Sequence, residues 1–339
     1  MKKTLISIIC LLLIACSKES KSTPSSPHQL NITTTVYPLT YFTEQIGGQH
    51  VTVKSVLEPG SDLHQFHLSE ESTNQLLNSD LILFINASTE TYLTDIIPSL
   101  DEKKVDYIDI VHLIQAKTEP QIGEGQTLIS GTLTVEESPK KSSNSDQISS
   151  KYHLNNSDGT PRTIQDVFYS PYNHLWLHPS YALMICEIIL DQLTDLMPEY
   201  GPTFQQNFDQ LKIKLKDLNN SFTLLSDANQ PYFLVTHAAY STWESYGLIQ
   251  IPLSSSIETP LSTDELTKLV ALVQDLDLNY LYFEANISSL TGRNIQNQLN
   301  LKPLILYNLA TLTNEQIKNN ENYFTLMYQN IENLKQEVY

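Results

Sequence analysis

The chain has 339 residues, with 20 Lys and Arg against 38 Asp and Glu and a formal net charge of −18. That is length enough for two lobes with separate cores. The acidic balance excludes a nucleic-acid partner and an electrostatic grip on anionic lipid; its field either favours the approach of a cation or only keeps an exported protein in solution.

At the amino terminus Lys2 and Lys3 precede a short apolar run, residues 5–14, that ends in Leu13-Ile14-Ala15-Cys16. The run is too short to span a bilayer and has the charge pattern of a secretory signal. A cysteine directly after a small residue resembles the lipobox of bacterial lipoproteins. That resemblance implies cleavage before Cys16, a signal over residues 1–15 and a lipid anchor on the Cys16 thiol. Residues 16–29, rich in Ser, Lys and Pro, read as a flexible tether. Of the other cysteines, Cys10 leaves with the signal and Cys186 lies in an apolar helical run, so it is expected to be buried and no intramolecular disulfide is expected.

From residue 30 strand and helix patterns alternate. Strands are predicted over 31–36, 51–57, 81–85 and 105–110, with helices over 39–46, 69–77 and 89–100 between them. Residues 81–85 are almost continuously apolar, as expected of a parallel strand covered on both faces. Residues 116–165 break the pattern and read as a long mobile loop, with one hairpin around 127–134. A helix is predicted over 179–197, then a long amphipathic helix over 203–225. The βα pattern resumes with strands 232–235, 249–253, 280–283 and 303–306 and helices 240–246, 263–276, 288–299 and 320–336. The fold class is α/β: two doubly wound lobes with parallel sheets, over 30–180 and 230–339, linked through the helices of 181–229.

Three histidines stand out. His64 follows Pro59-Gly60-Ser61-Asp62-Leu63, His174 opens His174-Leu175-Trp176-Leu177-His178-Pro179, and His237 follows the apolar run Phe233-Leu234-Val235-Thr236. Each reads as lying just beyond a buried strand. In an open α/β sheet ligands bind beyond the carboxyl ends of the strands, so such residues can converge from distant parts of a chain. Three neutral imidazoles meeting in one cleft suit a divalent cation such as Zn²⁺. His67 lies three residues beyond His64, and His178 four beyond His174. His28, His50, His112 and His153 have no comparable setting.

These motifs, with Thr34-Thr35-Val36-Tyr37-Pro38, His237-Ala238-Ala239-Tyr240 and Tyr246-Gly247-Leu248, resemble in order and spacing the zinc and manganese solute-binding lipoproteins of bacterial ABC importers, the cluster A-I or cluster 9 family. The resemblance runs from about Asn31 to the carboxyl terminus. It implies two α/β lobes joined by one long rigid helix, here 203–225, with a metal held in the interlobe cleft by His64, His174 and His237. A histidine at 237, where manganese-selective members usually carry a carboxylate, points to zinc, with Mn²⁺ or Fe²⁺ as the alternative cargo. The implied protein is no enzyme but an extracytoplasmic, lipid-anchored monomer, facing the periplasm or the cell exterior, that delivers Zn²⁺ to an ABC permease.

The chain departs from the family in three places. The acidic fourth ligand often found in a segment like Leu-Asp-Pro-Leu is missing, because the equivalent reads Leu306-Tyr307-Asn308-Leu309. The loop before His174 holds one histidine, His153, instead of a metal-collecting run. His178 stands where Asp or Ser is usual. The fourth position is therefore open to water, His67, His178 or an acid; Glu284, ending Leu281-Tyr282-Phe283-Glu284, is either such a group or a cap on the next helix. Two other classes compete. A zinc hydrolase also uses three histidines and an open position, but no HExxH motif or evident general base is present. An adhesin-type surface lipoprotein would use the metal structurally.

Overall fold

The structure, a computed structural model, describes residues 29–87, 89–118, 154–155, 161–162, 174–253 and 262–339. The expected signal, Cys16, nearly all of the tether, the 127–134 hairpin, His28 and His153 lie outside these residues.

The first sheet consists of β1 (Leu30–Thr34), β2 (Val51–Ser55), β3 (Leu81–Phe84) and β4 (Asp106–Asp109). Their order is β2-β1-β3-β4 and every pairing is parallel. Parallel neighbours need crossovers. These are supplied by α1 (Tyr37–Gly47), α2 (Glu70–Leu77) and α3 (Ile97–Lys103), with α4 (Ile110–Thr118) following β4. Helix α1 has Pro38 in its first turn, where the fixed φ suits it, and buries Leu39, Phe42 and Ile46 along one stripe. Helix α2 is opened by a reciprocal capping box between Ser69 and Ser72.

The second sheet repeats the plan with β7 (Tyr232–Val235), β8 (Ile249–Pro252), β9 (Tyr280–Glu284) and β10 (Lys302–Leu306), in the order β10-β9-β7-β8 and all parallel. Between the sheets in sequence come a two-stranded antiparallel pair, β5 (Leu154–Asn155) and β6 (Pro161–Arg162), then α5 (Pro179–Leu196) and α6 (Gly201–Thr223). Helices α7 (Thr263–Asp275), α8 (Leu290–Leu299), α9 (Asn314–Lys318) and α10 (Tyr323–Val338) complete the chain.

Helix α6 has 23 residues, so it runs about 35 Å. Its buried residues Phe204, Phe208, Leu211, Leu215, Leu218 and Phe222 recur every three or four positions. They pack on α5, on α1 of the first lobe and on α10 of the second. One continuous core thus runs from Ile32 and Leu83 through α5 and α6 to Phe233, Tyr282 and Leu306. A smaller second core, around Leu234, Val273, Leu281 and Ile295, covers the outer face of the second sheet. Cys186 is fully buried, as expected. No helix among the described residues is long and apolar enough to cross a membrane.

Several expected elements shift. The helix over 89–100 is instead a 3₁₀ turn, Thr91–Leu93, followed by α3. Glu90 turns inward there and accepts the backbone N–H groups of Ile85 and Asn86, and Pro98 sets the start of α3. The run after His237 is 3₁₀, Ser241–Tyr246, and α9, capped by Thr313, was not expected. Within the segment expected to be an irregular loop, α4 reaches Thr118 and β5 pairs with β6.

Candidate metal centre

Of the three histidines only His237 sits directly beyond a strand, two residues after β7. The Thr236 N–H donates to the Tyr282 carbonyl of β9, which anchors it at the point where the second sheet's strand order reverses. His64 lies nine residues beyond β2, because Gly60 turns the chain at φ +80 and Asp62 then caps the 3₁₀ turn Leu63–Gln65 by accepting the His64 N–H at 2.9 Å. His174 opens the 3₁₀ turn Leu175–Leu177 before α5. That turn is tied down at three points. Trp176 Nε1 donates to the Asn308 carbonyl at 2.6 Å, Tyr323 Oη to the Trp176 carbonyl at 2.6 Å, and Trp243 Nε1 to the Leu177 carbonyl at 2.8 Å.

The fold brings His64, His174 and His237 together: one ring nitrogen from each lies within 4.8 Å of the others. Ring centroids are 4.8 Å apart for His64 and His237, 5.5 Å for His174 and His237, and 5.7 Å for His64 and His174. Among the described residues this is the single group of three or more His, Cys, Asp or Glu side chains spaced to hold an ion. His174 and His237 are buried and His64 is the least covered. His174 Nε2 is buried with no hydrogen-bond partner, an expensive arrangement unless something else takes its lone pair. Burial, then the neighbouring His237 and His64, push the His174 pKa well below its ordinary value, so its ring is neutral at neutral pH.

His237 differs. Burial alone lowers its pKa, but the charge and hydrogen bond of Glu284, with a contribution from Asp62, outweigh burial and raise it. Glu284 Oε1 lies 3.4 Å from His237 Nδ1 and also accepts from the Asn308 side-chain amide at 2.9 Å. A carboxylate partner fixes the hydrogen on Nδ1, which leaves Nε2 as the donor nitrogen; carboxylates behind metal-bound imidazoles act this way. Glu284 therefore stands behind His237, and the sequence reading of it as a helix cap does not hold, since Ser289 caps α8.

The other two candidates for a fourth ligand do not join the group. His178 Nδ1 accepts the Ser180 N–H as the cap of α5, Nε2 bonds Ser245 Oγ at 2.8 Å, and the ring stacks on Tyr246 at 4.7 Å. Both its nitrogens are used by the protein. His67 is exposed, with Nδ1 against the Gln65 carbonyl. Asn308 is the residue whose role the sequence did not disclose: it lay in a segment, 306–309, legible only as lacking a carboxylate, and its partner Glu284 is 24 positions away.

Residues 32–337 match the family described as "Zinc-uptake complex component A periplasmic". The zinc-binding lipoprotein AdcA of Streptococcus pneumoniae (strain ATCC BAA-255 / R6) is 28% identical over 335 residues, 98% of this chain, which spans 60% of that protein's length. The high-affinity zinc uptake system protein ZnuA of Bacillus subtilis (strain 168) is 23% identical, covering 97% of this chain and 95% of its own. The fold is shared with the crystal structure of the Zn(II)-bound ZnuA-like domain of Streptococcus pneumoniae AdcA, at TM-score 0.66 and 27% identity, over 91% of this chain and 99% of that one. With its two like-ordered parallel sheets and a family match along nearly its whole length, this chain belongs to the zinc-uptake complex component A family.

Proposed function

We propose that this protein is an extracytoplasmic receptor that binds Zn²⁺ between its lobes through His64, His174 and His237 and delivers it to an ABC permease. The observation that carries this reading is the convergence of three imidazole nitrogens within 4.8 Å from three distant segments. An all-nitrogen set, with the Glu284 carboxylate held against His237 Nδ1, suits Zn²⁺ better than Mn²⁺, which favours oxygen. The names of the streptococcal and Bacillus relatives support the same cargo. A tether and lipid on Cys16 would hold the receptor at the membrane, facing the periplasm or the cell exterior, as a monomer. Residues 30–180 and 230–339 would serve as the two lobes, with 181–229 between them.

The test is titration of the metal-stripped chain with Zn²⁺ against a competing chelator, repeated with Mn²⁺. One-to-one binding of zinc, far tighter than of manganese, is expected. Equal binding of the two, or none, would sink the proposal.

A further inference from the structure

His64 stands on a short turn in the loop after β2. Its 3₁₀ turn is three residues long and capped by Asp62; His174 and His237 sit on turns bonded to buried structure. The loop that carries His64 is held from the second lobe. The Ser61 carbonyl accepts from Asn286 Nδ2 at 3.0 Å and from Thr311 Oγ1 at 3.1 Å, and the Gly60 N–H donates to the Leu312 carbonyl at 2.9 Å. Asn286 lies two residues beyond β9 and Thr311 five beyond β10.

Thr311 belongs to a strap, residues 308–312, that touches the mounting of each histidine. Its carbonyls at 308, 310 and 312 accept from Trp176 Nε1, the Tyr37 N–H and the Gly60 N–H, while the Asn308 amide holds Glu284. Within the strap Leu309 is buried and held at φ +57, a left-handed conformation that a leucine keeps only when its surroundings impose it.

We infer that Asn286 and Thr311 are positioning residues which, through the Ser61 carbonyl, hold His64 against the other two histidines and set the rate at which a bound cation leaves. This rests on the reading that the three histidines bind a divalent cation. Neither side chain belongs to the ligand group, so their loss loosens one ligand without removing any.

The experiment loads the purified full-length chain with Zn²⁺, mixes it with excess chelator and follows release by stopped flow. Asn286→Ala and Thr311→Val each speed release roughly fivefold, the worth of one hydrogen bond, and the double variant about 25-fold. Thr311→Ser, which keeps the hydroxyl, releases at the wild-type rate. Release from both single variants at the wild-type rate, with wild-type chain still binding zinc, overturns the latch alone. Wild-type chain that takes up no zinc overturns the binding reading and the latch with it. Should Thr311→Val not fold, Asn286→Ala, at a half-buried turn, decides the question.

Discussion

The side-chain amide of Asn308 donates to Glu284 Oε1 at 2.9 Å, and the same oxygen faces His237 Nδ1 at 3.4 Å. A neutral amide therefore serves the carboxylate behind His237. Glu284 Oε2, buried and without a partner, shows how little polar support that carboxylate has otherwise. Asn308→Asp would set two buried carboxylates against each other. The cation-free variant should lose about 2 kcal/mol or more of stability, and zinc should raise its Tm more than it raises that of the wild type. Thermal melts with and without zinc measure both, and equal zinc-induced rises would contradict the prediction.

Glu284→Gln keeps the shape and removes the charge that makes His237 a more basic ligand. Zinc affinity should fall about 10- to 100-fold with one-to-one binding retained. Chelator competition is the measurement; an unchanged affinity would mean that Glu284 does not act through His237.

Removing a ligand is more severe than removing its support. His64→Ala, His174→Ala and His237→Ala should each weaken zinc binding by about a hundredfold or more, since structural zinc sites distribute roughly 10–16 kcal/mol over four ligands. His178→Ala and His67→Ala should leave affinity near wild type, because neither belongs to the converging group. Three histidine variants that bind like wild type would refute the assignment.

Acid should act on binding through the three converging histidines and on folding through the buried ones, His178 among them. Cations need neutral imidazoles, and the proton competes at His237, whose pKa Glu284 and Asp62 raise, so zinc affinity should already be falling above pH 6.5. In folding, burial pushes His178 down to about 4. A depressed imidazole contributes stability that is fully present above its unfolded value near 6.5 and is lost as the pH falls towards about 4, on the order of 3 kcal/mol in all. His237 has the opposite sign and loses its contribution as the pH rises through its raised value. Melting of His178→Phe should depend less on pH between 6.5 and 4 than that of wild type; an identical dependence would assign the acid sensitivity elsewhere.

Gly292 in α8 is needed for close approach of helix to sheet. A Cβ there would lie 2.7 Å from Thr236 Cγ2 and 2.9 Å from a Phe283 ring carbon. Gly292→Ala gains about 1 kcal/mol of helix propensity but should still destabilise by about 1–3 kcal/mol, because both neighbours belong to packed strand ends. As Thr236 precedes His237, zinc affinity should fall as well. A variant as stable as wild type would show that the helix can shift outward.

Much of the fold is legible along the chain because its cues are local. Continuous apolar runs such as residues 81–84 and 232–235, the capping serines 69 and 289, Pro38 and Pro179 at helix starts, and the three-and-four spacing from Phe204 to Phe222 each act within a few residues. Two parallel sheets follow from them, since strands separated by helices can pair only by crossover. The three histidines are likewise legible as a set, from their motifs and order.

Which side chains attend those histidines was decided by contacts across long separations. Nothing within reach of His178 in sequence tells that Ser245 and Tyr246 occupy it, 67 and 68 positions on. The pairing of Glu284 with Asn308, the seat of Trp176 on the Asn308 carbonyl, and the grip of Asn286 and Thr311 on Ser61 arise only where the ends of β9 and β10 meet the loop after β2. The sequence alone determined the elements, because propensity, capping and periodicity are short-range. Only the tertiary structure determined which polar groups satisfy one another in the cleft, because a buried donor takes whichever acceptor the packing of distant segments puts beside it.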